Sequence, residues 1–409
     1  MQYKRFVLAV MIMTALGAAT IAAVNWLIDP YQIWDSDELT QWKFHKPAIE
    51  FHQRFSEIQR ALQSKPEAAI IGTSRSDVGF DPLHPAFNGL HTYNLATQGQ
   101  PPKEARLILE RLPGLKRVVW GTDFFTYGCQ HQATIHDFNE ELFEERSRWL
   151  SLVSISTIRD SILAVMMDSS PYMEWNRWRS DGLRSWSNDK AYINLFGYRR
   201  KTLASERQYI ETLYGGIKTI QCADEGGSNP LEEYRRALQI SHKKNIDLHL
   251  VIGPSHARQW ETLAISGLWP TWESWKRLLV QINEQEARNA MTKPFPLWDF
   301  SGYNIITTEA FPSQTDTQTQ MQWYWDSSHF KKETGDLVLT TVFDQRQSNS
   351  SNLGGFGVLL SFETLESQLA AIRNARSEYR RTHVADVTEI EGLAREIHTR
   401  SFGAQSRQK

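Results

Sequence analysis

"AAIIGTSRSDVGF", residues 68–80, is the stretch on which the reading of this chain turns. An apolar run that stops at Gly72-Thr73-Ser74 reads as a buried strand ending in a turn, with a helix to follow. Ser74 is then one of two things. It is the cap of that helix, because serine is a preferred capping residue, or it is a nucleophile presented at a strand end. The rest of the chain must supply a base and an oxyanion site for the second reading to stand.

Working outward, similar runs recur: "TYNLA" (92–96), "RVVWG" (117–121), "DLHLVIG" (247–253) and "PLWDF" (296–300). Between them lie stretches such as "PKEARLILERL" (102–112) and "PLEEYRRALQISHKKN" (230–245), with apolar residues at helical spacing. Alternating strand and helix signals predict an α/β fold with a mainly parallel sheet. In such sheets ligands bind beyond the carboxyl ends of the strands, so the residues just after each run are the ones to inspect.

The N-terminus is of a different character. Lys4 and Arg5 precede "FVLAVMIMTALGAATIAAVNWLI" (6–28), which carries no charge. About 20 apolar residues span a bilayer as a helix, whereas cleavable signals carry apolar regions of roughly 7–15 residues. An uncleaved single-pass anchor is predicted; small residues from Ala18 to Ala23 leave cleavage as the alternative. Basic residues before the span place the N-terminus in the cytoplasm and the bulk of the chain outside it, with Trp26 and Tyr31 at the outer interface. Cys129 and Cys222, the only cysteines, either pair in an exported chain or stay as buried thiols. Neither has neighbours at metal-ligand spacing, and no metal or cofactor is expected.

The 409 residues carry 41% hydrophobic and 22% charged residues, with a net charge of −2. That balance is ordinary for a globular chain and gives nucleic-acid binding no electrostatic support. The expected organisation is an anchor (1–30), one α/β domain (31–345) with a helical insertion (129–230), and a linker with C-terminal helices (346–409). "RQSNSSNLGGFG" (346–357) is the linker; "TLESQLAAIRNARSEYRR" (364–381) and "DVTEIEGLAREIH" (386–398) are the charged amphipathic helices after it. Within the insertion, "WLSLVSISTIRDSILAVMM" (149–167) is apolar enough to suggest a second span, but Arg159 and Asp160 at its centre favour a surface-packed lid or cap helix. "GLWPTWESWKRLL" (267–279) spaces Trp269, Trp272 and Trp275 as a core stripe.

The strand ends form a series: Gly72-Thr73-Ser74-Arg75, then Asn94 through Gly99, then Gly121-Thr122-Asp123, then Ser255-His256. Late in the chain "MQWYWDSSHF" (321–330) places Asp326 and His329 three residues apart, a spacing that on a helical turn sets both on one face. A serine hydroxyl needs an adjacent imidazole to take its proton, and that imidazole needs a carboxylate to fix its tautomer. The bland alternative is that Asp326 and Ser327 cap a following helix.

This order of blocks resembles the SGNH, or GDSL-type, hydrolase superfamily, in particular its membrane-anchored bacterial branch, whose first block reads Gly-Ser/Thr-Ser-Arg. The resemblance spans roughly residues 65–345. It implies a three-layer α/β/α, flavodoxin-like fold, with Ser74 as nucleophile, His329 as base, Asp326 as its orienting acid, and the amides of Ser74 and Gly99 as oxyanion donors. One block departs. Where the superfamily carries an Asn that donates to the oxyanion, this chain has Asp123, which accepts only. Either Asn94 supplies the missing amide or Asp123 pairs with Arg75. His256 either lines the pocket or has no role there, and Trp323 and Trp325 either stack on sugar rings or pack the loop. The resemblance further implies a serine esterase or O-acyltransferase, most simply for acetyl groups, at the outer face of a bacterial inner membrane. Its substrate would be an envelope or secreted polysaccharide and its partner a membrane-bound O-acyltransferase. The alternative is an inactive scaffold or carbohydrate-binding protein on the same fold.

Overall fold

Five apolar runs become parallel strands: β1 (Ala68–Gly72), β2 (Thr92–Asn94), β3 (Arg117–Thr122), β4 (Asp247–Ile252) and β5 (Leu297–Asp299). A sixth, β6 (Val358–Leu359), pairs antiparallel with β5, and the order across the sheet is β2-β1-β3-β4-β5-β6. The structure is a computed structural model that describes residues 2–36, 46–130, 138–167, 178–222, 229–343 and 355–405. β6 had no sequence signal of its own, since two residues carry no periodicity to read. Most of the linker expected at 346–357 lies outside the described residues.

Every residue of β1 is buried, as are all but the first residues of β3 and β4. Parallel strands covered on both faces need continuous apolar runs, which is why these segments do not alternate. The intervening helices follow from local chemistry. In Pro230–Lys244, Asn229 accepts from the amides of Leu231 and Glu232, Pro230 opens the first turn, and Glu232 and Glu233 complement the helix dipole there. His242, Lys243 and Lys244 close the other end, where Asn245 takes a left-handed conformation at φ 54°. The tryptophan stripe is core, with Trp272 and Trp275 fully buried and Trp269 partly so.

The chain divides into two compact units, one of Met1–Lys65 with Asp137–Arg179 and one of Pro66–His136 with Ser180–Lys409. The sheet and the C-terminal helices Leu365–Thr382 and Val384–Gln405 belong to the second. There the buried Arg258 pairs with Glu206 at 2.8 Å and with Asp386 and Glu389 at 2.9 and 2.8 Å. These charges tie the C-terminal helices to the domain. The first unit holds the apolar helix, whose segment Tyr3–Ile28 has a mean hydropathy of 2.3 and the length to cross a membrane. It also holds Gln53–Ser64 and two further helices. The single helix expected over 149–167 is in fact two, Glu145–Leu152 and Ile155–Met166, bent by 65°. The break falls where Ser154 adopts an extended backbone at ψ 136°.

Cys129 and Cys222, left open by the sequence, form a disulfide across 93 residues. Closing a loop of that length restricts the unfolded chain, and removing such a bond costs about 2–4 kcal/mol. Cys129→Ser combined with Cys222→Ser is therefore expected to lower the thermal midpoint by several degrees, and reductant should shift the parent to the same value. A reductant-insensitive parent would show that the bond does not form.

Candidate active site

Ser74 stands at the end of β1 because two glycines let a helix sit directly on the strand ends. Gly72 and Gly121 face each other in the β1–β3 register. A Cβ on Gly72, at φ +145°, would lie 2.5 Å from Ser76 Oγ, and one on Gly121 only 2.0 Å from it. No side chain fits at either position. The short helix Ser74–Gly79 is capped by Thr73, whose Oγ1 accepts from the Arg75 amide at 3.4 Å. Ser74 is therefore not the cap. It occupies the first helical position, where its own N–H has no intrahelical acceptor, and its side chain is half-buried.

Ser74 Oγ lies 2.9 Å from His329 Nε2. On the other side of the ring, Nδ1 is 3.0 Å from both carboxylate oxygens of Asp326. A carboxylate accepts only, so Nδ1 carries the hydrogen and Nε2 presents its lone pair to the serine hydroxyl. Asp326 and His329 meet without the helical turn expected for them. Helix Lys332–Phe343 begins only after them, and the loop is closed by a bridge between Tyr324 and Phe330. Asp326 Oδ1 accepts from the amides of Ser328 and His329, both at 2.8 Å, which folds the histidine back over its own partner. The loop is pinned from outside by Tyr324, which donates to the Pro254 carbonyl at 2.7 Å, and by the His256 amide, which donates to Ser327 at 3.0 Å. Burial works to raise the Asp326 carboxyl, but the imidazole and its hydrogen bonds prevail and hold it down at about 2. Asp326 is buried; Ser74 and His329 are partly open to solvent.

The third strand end is accounted for. Asp123 accepts from Arg75 and from Thr73 Oγ1, and Arg75 also donates from Nε to Ser328 Oγ and from its remaining nitrogen to the Tyr209 hydroxyl, both at 3.1 Å. Tyr209 and Ser328 share a further bond of 2.7 Å. One buried guanidinium thus links the Ser74 turn, the end of β3 and the histidine loop. Burial opposes the Arg75 charge, yet Asp123 outweighs it and raises the group above its ordinary value. Of the two readings of the departure, the Arg75 pair is the one found.

Asn94 is the corresponding correction. Its Nδ2 donates to the carbonyls of Ser76 and Phe80, both at 3.0 Å, and the side chain is fully buried. With its protons spent on the helix Ser74–Gly79, Asn94 has none to offer an oxyanion. Gly99 lies in the turn after β2 at φ 63°. That turn is held to the β1 end, because the Thr97 amide donates to the Gly72 carbonyl at 3.0 Å and the Gly72 amide donates to Gln100 Oε1 at 2.7 Å.

His256 is a second correction. Its Nδ1 accepts from the Arg258 amide at 3.1 Å, capping helix Ala257–Ile265, and Nε2 donates to the Glu309 carbonyl at 2.7 Å. Both nitrogens serve the backbone and none is left for a pocket. Burial pushes its pKa from 6.5 down to about 3. Between those values the unfolded chain binds a proton that the folded chain refuses, so stability should fall as pH drops through this window. In His256→Asn, which keeps the cap, that slope should flatten; an unchanged pH dependence of the melting midpoint would contradict the assignment.

Trp323 and Trp325 are partly buried and both pack against the core beside the loop. Trp325 also stacks against Trp186 at 6.2 Å, and Trp186 lies 4.7 Å from the His329 ring. Trp186, Tyr209 and Ser328 escaped sequence reasoning. Trp186 and Tyr209 come from the long excursion between β3 and β4, where nothing in the local pattern ties them to a strand end. Among the described residues no group of His, Cys, Asp or Glu is gathered to hold a metal ion. No family model, curated protein or solved structure matches the chain.

Proposed function

We propose that this chain is an SGNH-type serine esterase or O-acyltransferase, anchored in a bacterial inner membrane with its α/β domain on the extracytoplasmic side. The observation that carries this reading is the Ser74–His329–Asp326 relay, at 2.9 and 3.0 Å, on the carboxyl end of a parallel strand. The strand order 2-1-3-4-5 supports a flavodoxin-like, three-layer arrangement, and the site falls where the chain switches from β1 to either neighbour, the expected place for a ligand.

On this reading His329 Nε2 takes the hydroxyl proton as Ser74 Oγ attacks the acyl carbonyl. Asp326 stabilises the imidazolium, and the amides of Ser74 and Gly99 receive the oxyanion. Collapse expels the donor's alcohol, which regains its proton from His329 and leaves an acyl-enzyme. Water or a sugar hydroxyl then attacks that ester with His329 again as base. The acyl group is small, most simply acetyl, the acceptor or substrate an envelope or secreted polysaccharide, and the donor system a membrane-bound O-acyltransferase.

The scaffold alternative leaned on the carboxylate at 123. Its engagement by Arg75 and Thr73 offsets that charge but supplies no donor in place of the superfamily's Asn, so the scaffold stays the alternative. A fluorophosphonate probe decides between them: labelling of the parent that disappears in Ser74→Ala is expected, and a parent that stays unlabelled would favour the scaffold.

A further inference from the structure

The bent pair Glu145–Leu152 and Ile155–Met166 is built inside out for a helix in water. The face of Ile155–Met166 that is buried carries Thr157, Ser161 and Ala164, all small. Its exposed residues are large and apolar: Ile155 at 79%, Ile162 at 51%, Val165 at 56% and Met166 at 74%. Small residues between helices with bulky apolar ones outside is how helices pack in lipid, where burying an apolar face against protein gains little. Left in water, the same surface would be a large apolar patch of the kind soluble proteins rarely show.

The same unit holds the apolar N-terminal helix, and the two are joined at its end. Asn25, buried in the last turns of that helix, donates from Nδ2 to the Leu152 carbonyl at 2.8 Å and accepts from Ser161 Oγ at 2.9 Å. Tyr31, just beyond the helix, donates to Asp160 at 2.6 Å. Asp160, one of the two charged residues that argued against a second span, is thus hydrogen-bonded by a phenol at the end of the first, with His52 Nε2 3.4 Å from it. Neither helix is long enough to cross: at about 1.5 Å per residue they reach roughly 12 and 18 Å against a hydrocarbon core of about 30 Å. Beside them Trp149 and Trp34 meet at 5.0 Å, with Arg148 over Trp34 at 4.1 Å. Indoles with a basic side chain are what a membrane–water boundary selects.

We infer that Glu145–Met166 is a non-spanning membrane element that sinks its Ile155, Ile162, Val165 and Met166 face into the bilayer beside the end of the N-terminal helix. This rests on the reading of that helix as a membrane span. The occupant of the apolar face is lipid, and the element fixes the first unit to the membrane surface by a second contact.

The test uses the full chain in lipid nanodiscs, with single spin labels on Ile155→Cys, Ile162→Cys and Met166→Cys. Leu16→Cys reports the N-terminal helix and Glu141→Cys a water-facing position of the same unit. Collision with oxygen, which concentrates in lipid, is compared with collision by a water-soluble nickel chelate. Labels at 155, 162 and 166 are expected to favour oxygen as Leu16 does, with Glu141 favouring nickel. Nickel access at these positions while Leu16 stays lipid-exposed would overturn the inference and leave the span intact. Exclusion of both relaxants would mean a protein partner covers the face, and it too overturns the inference. Nickel access at Leu16 itself would overturn both readings together.

Discussion

Ser74→Ala is expected to reduce turnover of a simple acetyl ester by roughly 10⁴-fold or more, with little change in the amount of folded protein. The size follows from the geometry. Ser74 Oγ is the only hydroxyl bonded to His329 Nε2 among the described residues, so no neighbour is placed to take over the attack. His329→Ala should cost about as much, and combining it with Ser74→Ala should add little, because members of one relay act as a unit. Asp326→Ala should retain more activity than either, since the imidazole loses its orientation and its counter-charge but keeps its basic nitrogen. Its buried carboxylate also organises the loop through two backbone amides, so part of its effect will appear as a lower melting midpoint. The measurement is kcat on purified variants, with circular dichroism as the folding control. Parent-like turnover in Ser74→Ala would remove the mechanism altogether.

Asp123→Ala is expected to destabilise the protein by about 3–5 kcal/mol, the usual consequence of stripping the partner from a buried charge. Arg75 is buried, and Asp123 is its one carboxylate partner among the described residues. The remaining bonds go to the neutral hydroxyls of Ser328 and Tyr209, which accept from Arg75. Replacing Arg75 as well, in Asp123→Ala with Arg75→Met, removes the unpaired charge and should recover much of that loss. Turnover should not recover with it, because the link from the Ser74 turn to the His329 loop is gone. Asp123→Asn separates this role from the superfamily's: it leaves the guanidinium without a counter-charge and should lower kcat, whereas an Asn acting on the oxyanion would raise it. Urea denaturation of the three variants with ester kinetics gives both readouts. A single Asp123→Ala variant as stable as the parent would show that the pair contributes nothing, and a large gain in Asp123→Asn would return the residue to the oxyanion.

The sequence alone determined the strands that build the site, because each is a short apolar run buried on both faces and bounded by a turn residue. It also determined the apolar N-terminal helix, whose length and lack of charge are properties of composition, and it named Ser74, Asp326 and His329 from their block order. What it could not assign was where a side chain's hydrogen bonds go. Asn94 ends a strand and His256 follows one, much as Ser74 does, yet their polar atoms are consumed by nearby backbone groups, and nothing in one-dimensional spacing separates a satisfied group from an open one. Asp123 and Arg75 are 48 residues apart, and Tyr209 reaches them from an excursion whose own pattern points nowhere. Only the parallel pairing of β1 with β3, and the return of the 321–330 loop over their ends, brings these groups within hydrogen-bonding reach of one another. Hydrophobic periodicity is local and survives in the sequence; polar satisfaction is a property of the packed neighbourhood, and the tertiary structure alone decides it.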